Sequence, residues 1–117
     1  MTESVKILHN PRCSKSRATL ALLEERGIQP EIQLYLEQPP DADELRIILE
    51  LLGRSPRELM RRGESEYREL GLDDETLAES ALIDAMVAHP RLIERPVVLA
   101  NGKAAVGRPP ESVLDIL

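Results

Sequence analysis

Apolar and polar residues follow different spacings along this chain, and each spacing predicts a different element. Residues 4–9 form a short, mostly apolar run, as expected for a buried strand. Residues 14–26 carry apolar side chains at helical spacing, and Gly27 follows them where a helix C-terminal glycine belongs. Residues 31–36 alternate polar and apolar, which predicts a second strand and a parallel, right-handed βαβ unit. The inward-facing residues of that strand are expected to be Ile32, Leu34 and Leu36.

The middle of the chain, residues 41–90, carries helical signals only. Residues 41–53 begin with the spacing of a capping box, continue as one apolar face and end in glycine. Residues 55–63 repeat the start signal, with proline at the first helical position, and predict a short helix that ends at the next glycine. Residues 64–73 resemble a loop with one helical turn, and residues 74–88 are predicted to be helical. These segments predict a helical insertion.

The last third of the chain returns to strand spacing. Two apolar runs, residues 97–100 and 103–106, flank an Asn-Gly pair, which predicts a hairpin with a type I′ turn. Residues 111–117 are predicted to form a short terminal helix. The predicted order is therefore βαβ, a helical insertion and ββα, within a single domain over residues 1–117.

Length, charge and composition exclude several classes of function. A chain of 117 residues buries roughly two-thirds of its unfolded surface and needs no covalent staples. A net charge of −6 argues against nonspecific nucleic-acid binding, and two tyrosines without tryptophan or phenylalanine give little support for stacking on bases. Because no apolar run resembles a signal peptide or reaches membrane-spanning length, we expect a cytoplasmic protein with no membrane partner. A monomer is the default expectation.

The only cysteine, Cys13, lies where the first strand gives way to the first helix. A thiol there meets unpaired backbone N–H groups and the positive end of the helix dipole, which favour the thiolate. Arg12, Lys15 and Arg17 add positive charge, and the same N–H groups suit an oxyanion. A single cysteine is more often a small buried hydrophobe. Its polar, basic neighbours nevertheless predict a reactive nucleophile.

The cysteine and histidine counts restrict the chemistry further. One cysteine excludes an internal disulfide, so a resolving thiol would have to come from another molecule, as fits a reducing compartment. Two histidines and one cysteine without close ligand spacing give no metal signal. We therefore expect neither a metal nor a bound cofactor.

Motifs spread over nearly the whole chain resemble one family. They are His9-Asn10-Pro11-x-Cys13-x-x-Ser16-Arg17, Tyr35-Leu36-Glu37-x-Pro39-Pro40, Glu66-Tyr67-x-Glu69-Leu70-Gly71-Leu72, Leu82-Ile83-Asp84, His89-Pro90-x-Leu92-Ile93-x-Arg95-Pro96 and Arg108-Pro109. In this order they resemble the glutaredoxin-linked arsenate reductases. The resemblance implies an α/β, thioredoxin-like fold with a mixed four-stranded sheet and a helical insertion at about 41–90.

The resemblance also implies a reaction and a set of site residues. Arsenate would be reduced to arsenite with glutathione as co-substrate and glutaredoxin as partner, through a covalent thiol–arsenate adduct on Cys13. Three arginines would bind the oxyanion, one of them in the short insertion helix. They are Arg61, Arg95 and Arg108. The implied loop supports, among which His9 helps to keep the thiol ionised, are His9, Asn10, Ser16 and Arg17. The Arg95–Pro96 bond is expected to be cis.

Three other interpretations place different demands on the sequence. Arsenate reductases that resemble low-molecular-weight tyrosine phosphatases need Cys-x5-Arg, and the residue six after Cys13 is Thr19, so that class is excluded. A regulatory protein similar to the Spx-type factors, which bind RNA polymerase, would commonly carry a CxxC pair, whereas Ser16 stands at the second position here. A thiol-dependent oxidoreductase with a different substrate would share the same loop. The last two remain alternatives.

Overall fold

The computed structural model describes residues 4–117, which divide into two compact units. One unit comprises the chain up to Gln38 and from Arg95 onward, and it contains the sheet. The other comprises Pro39–Glu94 and contains only helices and an isolated bridge. Its bounds fall close to those of the predicted helical insertion. Within residues 4–117, no helix is both long and apolar enough to cross a membrane.

The sheet unit has four strands in the order β2-β1-β3-β4. Its elements are β1 (Val5–Leu8), α1 (Ser14–Glu25), β2 (Glu31–Gln33), β3 (Val97–Ala100) and β4 (Lys103–Val106). β1 pairs parallel with β2 and antiparallel with β3, and β3 pairs antiparallel with β4. This confirms the predicted mixed, four-stranded α/β sheet. The terminal segment is helical as predicted, but Pro110–Ile116 is a 3-10 helix rather than an α-helix.

The core of the sheet unit lies on one face of its two central strands. Val5 pairs with Ala100 and Ile7 with Val98, and because alternate residues of a strand share a face, all four point to the same side. Leu23 of α1 and two residues of the 3-10 helix cover them. The buried cluster consists of Val5, Ile7, Leu23, Val98, Ala100, Val113 and Ile116. Buried apolar contacts therefore fix the register between β1 and β3.

The second strand departs from its prediction. β2 ends at Gln33, and the chain then turns, with the N–H groups of Glu37 and Gln38 donating to the Leu34 carbonyl. Ile32 is 47% exposed, and the side chain of Tyr35 is buried instead. The predicted inward face over residues 31–36 is therefore wrong, because the alternation runs past the end of the strand into a turn.

The hairpin follows the prediction. Asn101 has φ 55° and Gly102 φ 70°, the left-handed values that a type I′ turn requires at both central positions. The turn sets a register in which Val97 pairs with both Leu8 and Val106. The loop after β1, the residues before β3 and the residues after β4 therefore lie at one end of the sheet.

The first helix of the helical unit begins and ends where the sequence predicts. Its helices are α2 (Ala42–Leu52), α3 (Pro56–Leu59), α4 (Ser65–Glu69) and α5 (Glu79–Ala88), with a 3-10 turn at Pro90–Leu92. The Asp41 side chain accepts the Glu44 N–H at 2.8 Å, and Gly53 ends α2 in a left-handed conformation. At α3, Ser55 and Glu58 form a complete capping box.

Two predicted helices are shorter than expected. α3 ends at Leu59, because Met60 is extended and bridges Ile93, and the Arg61 N–H donates to the Leu92 carbonyl at 2.7 Å. Arg61 therefore follows the short helix instead of lying in it. The segment predicted as helical from residue 74 becomes helical only at Glu79. The Asp74 carboxylate accepts the backbone N–H and hydroxyl of Thr76, a local turn that competes with helix formation.

Candidate active site

Cys13 is the N-cap residue of α1. Its backbone is extended, its N–H donates to the Asn10 carbonyl, and its carbonyl accepts the Arg17 N–H, both at 3.0 Å. The residue is only 8% exposed, but it is not a member of the buried apolar cluster. Cys13 is thus a buried residue, largely shielded from water at the first turn of a helix.

Hydrogen bonds within the loop hold the thiol in place. The Asn10 side-chain oxygen accepts the Arg12 N–H, and the Asn10 N–H donates to the Ser16 hydroxyl, both at 3.0 Å. The Arg17 guanidinium donates to the Pro11 carbonyl at 2.9 Å. Asn10, Ser16 and Arg17 therefore fix the backbone around Cys13.

His9 contacts Ser16. Its Nδ1 lies 2.7 Å from the Ser16 Oγ, and both residues are buried. Burial lowers the pKa of His9 below its usual value, and the nearby charge of Arg17 lowers it further, while Glu24 opposes the shift. The neutral form of His9 is therefore favoured in the folded protein. Its hydrogen bond to Ser16 connects it to the thiol loop.

Two of the three predicted arginines lie with Cys13 in the sheet unit. Arg108 Nη2 is 3.7 Å from the Cys13 Sγ, and Arg108 Nε donates to the Arg95 carbonyl at 2.8 Å. The Arg95–Pro96 bond is cis, the isomer that the family resemblance implies. The Arg108–Pro109 bond is also cis, which nothing in the sequence indicated.

The surroundings of the thiol favour its ionised form. Burial raises the pKa of Cys13, but the backbone N–H groups of Ser16 and Lys15 and the charges of Arg95 and Arg108 lower it by more. The net pKa lies below the ordinary value of a thiol. A nucleophilic sulfur beside guanidinium groups is suited to attack on a tetrahedral oxyanion, because planar guanidiniums bind oxyanions in a bidentate manner.

The third predicted arginine, Arg61, belongs to the helical unit. Its Nη1 lies 2.6 Å from an oxygen of Glu64, whose other oxygen accepts from Arg91 Nη2 at 3.1 Å. The Glu64 side chain is only 14% exposed. The sequence analysis missed Glu64 and Arg91, because the 61–64 spacing is also that of an ordinary surface ion pair on a helix.

One further feature, Gly107, was beyond the sequence analysis. Gly107, directly before Arg108, lies against Thr19 of α1 and against Pro96, and no local motif marks it. Within residues 4–117, no group of three or more histidine, cysteine, aspartate or glutamate side chains is placed to hold a metal ion.

Comparison with known proteins gives relatives along the full length of the chain. An uncharacterised protein of Escherichia coli (strain K12), YfgD, is 62% identical over 118 residues, which cover 100% of this chain and 99% of that protein. A Neisseria meningitidis protein named arsenate reductase is 57% identical over 114 residues, 97% of each chain.

Solved structures also include relatives along the full length of the chain. The arsenate reductase from Vibrio cholerae is 52% identical, covers 100% of both chains and has a TM-score of 0.97. A protein related to the same family from Bacteroides fragilis shares the fold at 24% identity, with a TM-score of 0.84 over 97% of this chain and 99% of that one. These neighbours have the predicted thioredoxin-like fold. A model of the ArsC family matches residues 8–116, and the chain belongs to that family.

Proposed function

We propose that this protein is an arsenate reductase that uses glutathione and glutaredoxin. The observation that carries the proposal is the guanidinium of Arg108, 3.7 Å from a cysteine sulfur whose pKa is lowered. Relatives named arsenate reductase, at 57% and 52% identity over nearly the whole chain, support the choice of substrate.

In the first step the Cys13 thiolate attacks pentavalent arsenic. A sulfur–arsenic bond forms while one arsenic–oxygen bond breaks, and the departing oxygen takes up protons and leaves as water. Arsenate and thiolate are both negatively charged, so attack requires positive charge nearby. Arg108 and Arg95 supply this charge.

In the second step external thiols supply two electrons. Glutathione forms a second sulfur–arsenic bond, displacing water. A glutaredoxin thiolate then attacks the glutathione sulfur, giving a mixed disulfide, and the electron pair of the broken bond stays on arsenic, which becomes trivalent. Hydrolysis of the remaining bond releases arsenite and the Cys13 thiol. Because the chain has a single cysteine, an external thiol must complete the cycle, as the cytoplasm provides.

The family resemblance also gives Arg61 an oxyanion-binding role, which we include in the proposal. Arg61 is bound to the Glu64 carboxylate in the structure. A substrate oxyanion at this guanidinium therefore competes with that carboxylate or shares its donors. Arg61→Lys keeps the charge but loses the planar guanidinium that binds an oxyanion through two hydrogen bonds. The variant should have a raised KM for arsenate, with little change in the pKa of Cys13.

The experiment is a coupled assay of NADPH consumption with glutathione, glutathione reductase and glutaredoxin, with and without arsenate. Wild type is compared with Cys13→Ser, Arg108→Lys and a control, Arg26→Lys, whose side chain is exposed at the other end of α1. We expect turnover that needs both arsenate and glutaredoxin, is abolished by Cys13→Ser, is reduced by Arg108→Lys and is unchanged in the control. Absence of arsenate-dependent turnover with an alkylatable Cys13 would instead favour a thiol-dependent oxidoreductase with another substrate.

A further inference from the structure

Gly107 occupies a position at which no side chain fits. It is buried directly after β4, and its N–H donates to the Pro96 carbonyl at 2.9 Å. A Cβ atom added there would lie less than 3.0 Å from both the Thr19 Oγ1 and the Pro96 Cγ, closer than real Cβ atoms come. The glycine is therefore required by space.

Backbone conformation does not explain this glycine. Four of the other glycines have positive φ values and open space around the missing Cβ. Gly107 is not among the residues with positive φ, so alanine could adopt its backbone angles. What distinguishes Gly107 is that the Thr19 and Pro96 side chains occupy the space that a Cβ atom would need.

The surface that Gly107 touches is fixed to the thiol loop. Thr19 is fully buried, and its hydroxyl donates to the Lys15 carbonyl at 2.8 Å, one turn back along α1. The helix that carries Thr19 begins with Cys13 as its N-cap. The residue after Gly107 is Arg108, whose guanidinium reaches the Cys13 sulfur. The separation between α1 and the 107–108 backbone therefore sets how closely Arg108 approaches the thiolate.

We propose that Gly107 and Thr19 form a spacer that holds the Arg108 guanidinium at the Cys13 sulfur. Gly107 is thus a positioning residue: it touches neither the sulfur nor the substrate, and it acts through Arg108. A side chain at 107 would push the backbone away from α1 and carry Arg108 with it. The expected change in the pKa of Cys13 follows from this geometry alone. Only its consequence for arsenate turnover rests on the proposed function.

The test is Gly107→Ala, with the pH dependence of Cys13 alkylation by iodoacetamide as the readout. The pKa of Cys13 should rise by about half a unit. At a pH below that pKa, the thiolate fraction should then be about threefold lower than in wild type. Gly63→Ala is the matched control, since Gly63 is exposed, has no positive φ and has open space at its Cβ position. The control should leave the alkylation profile unchanged.

A second substitution tests the spacer itself. Thr19→Ala removes both Thr19 atoms that crowd the added Cβ, while the Pro96 contact remains, so the double variant with Gly107→Ala should recover part of the wild-type alkylation profile. A folded Gly107→Ala protein with the wild-type profile, or a double variant no closer to wild type than the single one, would overturn the proposal. If Gly107→Ala does not fold, Thr19→Ala alone decides, because loosening the spacer should also raise the pKa and an unchanged profile would refute it.

Arsenate turnover separates this inference from the proposed function. A raised pKa in Gly107→Ala, in a protein whose wild type reduces no arsenate, would support the spacer and refute the proposed substrate. Normal arsenate reduction by a folded Gly107→Ala variant with an unchanged thiol pKa would support the function and refute the spacer.

Discussion

Removal of the Arg108 charge measures how far that charge lowers the pKa of Cys13. Arg108→Ala deletes a positive charge 3.7 Å from the sulfur. Two unit charges at about 4 Å interact by about 1 kcal/mol in water and about 4 kcal/mol at an effective dielectric constant of 20. Arg108 is exposed, so screening favours the lower figure. About 1 kcal/mol corresponds to a rise of about 0.7 in the pKa of Cys13.

The assay is the rate of Cys13 alkylation by iodoacetamide as a function of pH. The inflection should move to higher pH in Arg108→Ala while the plateau rate at high pH changes little. Arg108→Lys, which keeps the charge, should move the inflection less. Arg26→Ala, at the far end of α1, should not move it. An inflection in Arg108→Ala at or below that of wild type would refute the conclusion that Arg108 stabilises the thiolate.

Three further variants test the hydrogen bonds and charges of the two units. Ser16→Ala leaves His9 Nδ1 and the Asn10 N–H without their partner and should lower the free energy of unfolding by about 1–3 kcal/mol, measured in urea. Because the folded-state pKa of His9 lies below 6.5, the unfolded state binds more protons as pH falls below that value, so stability should decrease from pH 6.5 to 5.5 and decrease less in His9→Gln. Arg57 donates three hydrogen bonds in the helical unit, so Arg57→Ala should cost about 2 kcal/mol or more in thermal or urea unfolding, whereas the exposed Arg54→Ala should change stability little.

Elements with local signals could be predicted from the sequence. The Asn-Gly turn needs two positive φ values whatever surrounds it, and the Asp41 side chain caps α2 within its own first turn. The end of α3 could not be predicted in this way. It depends on the bridge between Met60 and Ile93, two residues that are distant in the chain and carry no local mark of the pairing.

The same distinction applies to the candidate site. The position of Cys13 at the start of α1 follows from the pattern around it. Its contact with Arg108 joins residues 95 positions apart and came only from the family resemblance. Gly107 was missed because its constraint lies in Thr19 and Pro96, which no motif connects to it. Charges and nucleophiles are visible in a sequence, whereas the packing that sets their separation is not.

The groups that favour the thiolate are backbone N–H groups and the guanidiniums of Arg95 and Arg108. Backbone N–H groups do not ionise, so their contribution does not change with pH. Burial and the nearby charge of Arg17 lower the pKa of His9, which favours its neutral form beside the thiol loop. An imidazolium beside the sulfur would instead lose its charge as the pH rose through neutrality, and its support would fall as the thiolate fraction grew. A comparison of Arg108→Ala with Arg26→Ala assigns a shift of the inflection to the charge that lies 3.7 Å from the Cys13 sulfur.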